Sequence, residues 1–188
     1  ISAQKVTLPF VQEVLLGGAP VFPRLAQALL ATFPGARVTA VYGSSEAEPI
    51  AHLEITAESL KLSRQRAASG AGLCQGQVLC RTRVVDRDKL RALAGRDDLK
   101  QSDLDQITCA EGQKGEILVA GPHVVQSYLD GEGDLGTKFC FDGEVYHATG
   151  DAGYFDQDNL YLCGRAVYKS SLASECYPLE IEALALTD

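Results

Sequence analysis

The sequence predicts an α/β protein in which a parallel strand–helix–strand unit, part of a larger sheet, is followed by a small antiparallel β-rich region. Two observations carry this prediction. The apolar runs Val11 to Leu16 and Arg37 to Tyr42 are separated by a segment in which Leu25, Ala26, Leu29, Leu30 and Phe33 recur at helical spacing, the minimal crossover for two parallel neighbours. From Gly115 onward the chain changes character: short apolar runs alternate with turn residues, the signature of hairpins.

Taken in order, the first run is expected to be a buried strand ending in the tight loop Gly17-Gly18-Ala19-Pro20. Pro23 suits the first turn of the helix, and Pro34-Gly35 stops it. The second strand carries Val38, Ala40 and Val41 and runs into Tyr42-Gly43-Ser44-Ser45-Glu46. If the strands are parallel, both glycine-containing loops leave the same edge of the sheet, where open α/β sheets bind ligands.

Beyond Glu46 the pattern is less regular. Thr56 to Ala68 is expected to be a helix capped by Thr56, with Lys61, Arg64 and Arg66 in solvent, and Gly70 to Gly76 a flexible connector. Gln77 to Val85 and Glu116 to Ala120 read as strands. Asp86 to Lys114 between them reads as an insertion with one short helix at Lys89 to Ala94. Val124 to Leu129 is expected to be a brief helix, and Tyr146 to Arg165 a hairpin turning at Asp156 to Asn159.

Composition bounds the function. A chain of 188 residues with 46 % hydrophobic and 22 % charged residues is ordinary for a globular protein, and its net charge of -8 opposes general affinity for nucleic acid or anionic membrane. No apolar run approaches the roughly 20 residues of a membrane span, and the N-terminus has no signal-peptide pattern, so the cytoplasm is the expected compartment. Six scattered cysteines without a C-x-x-C pair are expected to be buried free thiols. Methionine is absent. A piece of a longer chain is the favoured explanation, the other being modified residues missing from the sequence.

The chemistry gathers around Tyr42 to Glu46. A glycine admits close approach of a ligand, two hydroxyls can donate to phosphate oxygens, and Glu46 can hold a divalent cation. The predicted hairpin adds Asp151, able to accept from ribose hydroxyls, and Arg165, able to fork onto ribose or phosphate oxygens. Taken singly, each of these is more often a turn residue or a surface ion pair.

Together and in order, Gly17-Gly18-Ala19-Pro20, Tyr42-Gly43-Ser44-Ser45-Glu46, Gly115-Glu116-Ile117 with Gly121, Thr149-Gly150-Asp151, Gly164-Arg165 and Pro178-Leu179-Glu180-Ile181-Glu182 resemble the adenylate-forming superfamily. Glu46 to Ile50 and the run from His147 to Arg165 are most similar to fatty acyl-AMP ligases and olefin-forming β-lactone synthetases. The resemblance implies residues 1–76 as part of the α/β nucleotide-binding subdomain, 77–165 as a β-rich subdomain of distorted-barrel type, and 166–188 as the start of a truncated C-terminal domain.

It also implies roles. Gly18, Ala19 and Pro20 would line the nucleotide pocket together with Gly43, and Tyr42 would stack on adenine. Ser45, standing where threonine is usual, would contact the α-phosphate; Glu46 would bind Mg2+; Asp151 would hold the ribose hydroxyls and Arg165 the ribose or phosphate. The implied reaction is ATP-dependent activation of a carboxylic acid, a fatty acid in the closest groups, with coenzyme A, an acyl carrier protein or internal ring closure completing the sequence.

Some family features differ or are missing here. Val167 stands where the family places an Asp or Lys hinge, and the turn at Asp158-Asn159 lacks the usual glycine. The phosphate loop would lie upstream of residue 1 and the distal catalytic lysine beyond residue 188, so the isolated piece is expected to be catalytically incompetent. A non-catalytic nucleotide-binding relative and an interaction module using the same fold are the alternatives.

Overall fold

The computed structural model describes residues 6–169 and 176–186. Its strands join in one open mixed sheet. Strand β1 (Glu13–Leu16) pairs in parallel with β2 (Arg37–Ser44), from Glu13 opposite Arg37 to Leu16 opposite Ala40, and helix α1 (Pro23–Thr32) makes the crossover. This is the expected strand–helix–strand unit. One face of β2 presents Val38 and Ala40 to Ala26 of the helix, and Ile55 and Leu60 complete that cluster. The first strand is not buried as expected: it forms one edge of the sheet and is covered on one face only, leaving Leu15 66 % exposed.

The region after Glu46 is more regular than its sequence. Strand β3 (Ala47–Glu54) turns straight back antiparallel to β2, with Ser44 opposite Ala47. Glu48, Pro49 and His52 interrupt the apolar alternation that would have marked it, yet Ala47, Ile50 and Ala51 are fully buried. Thr56 then caps α2 (Ala57–Ala68) as expected, Thr56 and Ser59 each accepting from the other's backbone N–H. Arg66 is not simply solvated: it pairs with Asp156 and lies 5.3 Å from the centroid of the Tyr161 ring.

The expected connector and the single strand after it are in fact two strands, β4 (Leu73–Val78) and β5 (Arg81–Val85). The first pairs with β3, and the second lies at the far edge of the sheet. Gly76 belongs to β4 rather than to a linker because a Cβ there would come within 2.1 Å of the His52 carbonyl oxygen. The insertion holds two helices instead of one, α3 (Arg87–Ala92), capped by Asp86, and α4 (Gln101–Ile107). Leu90, Leu104 and Ile107 pack with Phe139, Phe141 and Tyr146.

Strand β6 (Gly115–Ala120) is wholly buried between β5 and β8 (Glu144–Asp156). A further strand the sequence did not reveal, β7 (Lys138–Phe141), also pairs with β8. The expected hairpin joins β8 to β9 (Asn159–Arg165), with Asp156 opposite Asn159, and β9 returns the sheet to β4. Residues 124–128 are not helical; the stretch is tethered instead by the Val125 N–H donating to the Glu46 carbonyl at 2.8 Å. Helix α5 (Pro178–Ala185) packs on β9. Of the six thiols, expected to be buried, only Cys163 is; Cys140 is exposed and the other four are half-buried.

Candidate functional site

A cavity of about 590 Å³ opens where the chain leaves β1 and β2. Gly18, Ala19 and Pro20 line it from the first loop, Tyr42 and Gly43 from the second strand, and Asp151 and Arg165 from the β8–β9 pair. Seven of the nine residues singled out from the sequence therefore share one space. The parallel register brings the two loops together, and Gly17 lets them touch: a Cβ at that position would sit 2.9 Å from the Val41 carbonyl oxygen.

Asp151 and Arg165 come together by register, being opposite one another across β8 and β9. Arg165 Nη1 donates to Asp151 Oδ1 at 2.9 Å, and Tyr42 Oη donates to Asp151 Oδ2 at 2.8 Å. Thr149 supports β8 where its pairing with β6 shifts register, its hydroxyl donating to the Ile117 carbonyl and accepting from the Asp151 N–H. Burial, with the Asp151 carboxylate beside it, pushes the Tyr42 phenol well above its ordinary pKa, so the hydroxyl remains a donor. The Arg165 side chain is 61 % exposed and that of Asp151 18 %, a charged rim above a buried aromatic floor.

Ser45 and Glu46 do not line this cavity; they form the turn between β2 and β3. Glu46 is held by Tyr128, whose hydroxyl donates to Glu46 Oε1 at 2.8 Å. That bond holds the Glu46 carboxyl below its usual range, while burial and the same carboxylate raise the Tyr128 phenol to about 12. An ionised carboxylate is a fitting ligand for Mg2+, which commonly takes one or two protein carboxylates and completes its shell with phosphate oxygens and water. Among the described residues no cluster of three or more His, Cys, Asp or Glu side chains forms an all-protein metal cage.

Among the other residues lining the cavity, Gln75 and Tyr168 were given no role from the sequence, and Glu182 was noted only as part of the Pro178–Glu182 motif. Gln75 lies in β4, within the glycine-rich stretch expected to be a connector, and Tyr168 and Glu182 come from the chain beyond β9. Tyr128 was missed as well. Its only signal was an aromatic residue after the Gly121-Pro122 breaker, too weak without the fold.

Residues 2–129 match the family described as AMP-binding enzyme. The chain belongs to the AMP-binding enzyme family. Within this AMP-binding family the chain is 36 % identical over 177 residues to an olefin β-lactone synthetase from Stenotrophomonas maltophilia, covering 88 % of this chain and 30 % of that protein. It is 29 % identical over 180 residues to a D-alanine–D-alanyl carrier protein ligase from Bacillus cereus, covering 94 % of this chain and 31 % of the ligase. Among solved structures it resembles O-succinylbenzoate coenzyme A synthetase (MenE) from Bacillus subtilis in complex with ATP and magnesium ion. There the TM-score is 0.65 at 25 % identity, over 97 % of this chain and 33 % of the synthetase. The chain thus spans about a third of the length of each of these three proteins.

Proposed function

We propose that the protein carrying this chain activates a carboxylic acid with ATP, forming an acyl-adenylate. The observation that supports this reading is the convergence of the Gly18–Pro20 loop, Tyr42 and the Asp151–Arg165 pair on one cavity of nucleotide size. In this reading Tyr42 offers its ring to adenine, the loop backbone borders adenine and ribose, and Asp151 accepts from the ribose hydroxyls. Arg165 exchanges part of its contact with Asp151 for ribose or phosphate oxygen. Ser45 donates to the α-phosphate.

A carboxylate oxygen of the acid then attacks the α-phosphorus, the bond from that phosphorus to the oxygen bridging to the β-phosphate breaks, and pyrophosphate leaves. Mg2+ held by Glu46 would neutralise phosphate charge as it builds up. The acid is a fatty acid in this proposal, by the resemblance of Glu46 to Ile50 and His147 to Arg165 to fatty acyl-AMP ligases, and the acyl group passes to coenzyme A, to a carrier protein or into a ring. In this reading residues 1–76 are part of the nucleotide-binding subdomain, 77–165 the β-rich subdomain with the ribose-holding hairpin and 166–188 the beginning of a further domain. No helix among the described residues is long and apolar enough to cross a membrane, and the cytoplasm is the proposed setting.

Carboxylate-dependent exchange of pyrophosphate into ATP, measured on the intact protein with acids from acetate to long-chain fatty acids, tests this. Exchange with fatty acids is expected. A folded protein that binds ATP but exchanges with no acid would support a non-catalytic nucleotide-binding role instead.

A further inference from the structure

The β2–β3 turn is gripped from outside the cavity by the residues between β6 and β7. Tyr128 Oη donates to Glu46 Oε1 at 2.8 Å, while the Val125 N–H donates to the Glu46 carbonyl at the same distance. Side chain and main chain of Glu46 are therefore both tied to the segment that follows β6. The tyrosine is itself held from several sides. Its N–H donates to Asp134 Oδ1 at 2.9 Å, Lys138 Nζ lies 5.1 Å from its ring centroid, and the buried His147 ring meets it edge-on at 6.5 Å. Lys138 in turn donates to the Val125 carbonyl, closing the arrangement on itself.

A loop needing only to be pinned would be served by the backbone bond. A phenol braced by a cation, an imidazole and a backbone anchor delivers one hydroxyl to one carboxylate oxygen. Carboxylates that bind metals are commonly oriented by such outer hydrogen bonds, and losing them typically costs 10–100-fold in metal affinity or activity. We propose that Tyr128 is a positioning residue that sets the Glu46 carboxylate for a divalent cation bound together with the nucleotide. This rests on the reading of Glu46 as the metal carboxylate. Holding one oxygen in place removes side-chain freedom that the cation would otherwise have to freeze on binding.

The test uses the intact protein, Mn2+ as probe and a non-hydrolysable ATP analogue, with bound Mn2+ followed by electron paramagnetic resonance. Tyr128→Phe keeps the ring between Lys138 and His147 and removes only the hydroxyl. It is expected to raise the Kd for Mn2+ in the ternary complex about tenfold. Metal-free nucleotide affinity and melting temperature stay at wild-type values. Under turnover the half-saturating Mg2+ concentration rises, with kcat at saturating Mg2+ little changed. Should the phenylalanine variant fold poorly, Lys138→Met, which loosens the ring from its other side, is expected to raise the Mn2+ Kd by a smaller factor.

Wild-type Mn2+ affinity in Tyr128→Phe overturns the proposal. Glu46→Gln separates it from the reading beneath: if that variant also binds Mn2+ normally, Glu46 is no ligand and the metal assignment falls. If Glu46→Gln weakens Mn2+ binding and Tyr128→Phe does not, only the role of Tyr128 is wrong.

Discussion

Tyr42 Oη donates to Asp151 Oδ2 at 2.8 Å, a hydrogen bond between residues 109 positions apart that ties the parallel end of the sheet to its long antiparallel hairpin. Asp151 receives Arg165 on its other oxygen, so one carboxylate joins three elements of the cavity wall. In the nucleotide-binding reading the pocket is thereby ordered before ligand arrives.

Tyr42→Phe leaves the ring in place and deletes that bond. Loss of one hydrogen bond to a carboxylate is expected to weaken ATP binding by about 1–2 kcal/mol, roughly five- to thirtyfold in Kd. Asp151→Ala removes the contacts of both neighbours and is expected to weaken it more. Titration calorimetry of the intact protein with ATP checks both; unchanged affinity in Asp151→Ala would remove this residue from the nucleotide site.

Gly17→Ala places a methyl 2.9 Å from the Val41 carbonyl, a backbone atom that cannot swing aside. The two loops must part, which is expected to destabilise the region by about 1–3 kcal/mol, as overpacking commonly does, and to weaken ATP binding. Thermal melting with and without ATP measures both, and a variant that melts and binds like wild type would contradict the close approach.

A second buried contact anchors α5. The Glu180 side chain is only 2 % exposed, pairs with Lys114 Nζ at 2.6 Å and accepts from the Tyr177 N–H at 2.9 Å. Lys114→Met strands that carboxylate and is expected to cost roughly 3 kcal/mol, the low end for breaking a buried pair, since the lysine remains a quarter exposed. Amide exchange should quicken in α5 first, and adding Glu180→Gln should restore much of the loss. Equal exchange in wild type and Lys114→Met would show that the ion pair does not hold the helix.

Stability should also depend on pH through His147, which lies buried on β8. Burial, reinforced by the Lys138 charge, lowers its pKa below the ordinary 6.5. The unfolded chain then takes up a proton at a higher pH than the folded one, so stability is lost as pH falls from about 6.5 toward the lowered value. His147→Gln should flatten that part of the pH–stability profile. A slope unchanged in the variant would assign it to other groups.

Much of the pocket could be read from sequence because its parts are local. Gly17 to Pro20 and Tyr42 to Gly43 each follow an apolar run, and the turn at Asp156 to Asn159 starts a hairpin whose register shifts by one residue between Ala152 and Gly153, which sets Asp151 opposite Arg165. Strand β3 was harder to read, since its polar positions break the alternation and its burial depends on neighbours on both sides. Gln75 was missed for a related reason: a glycine-rich stretch reads as a linker until the close approach of Gly76 to β3 and of Gly72 to β9 explains two of its glycines.

The sequence by itself determined the strand–helix–strand unit, the hairpin and the residues offered at their ends, because turns, caps and periodicity act over a few positions. Only the tertiary structure decided that Tyr42 meets Asp151 and that Tyr128, 82 positions away in the chain, holds Glu46. Such partners are chosen by which strands lie side by side, and strand order is set by burial of the whole sheet rather than by any one segment of it.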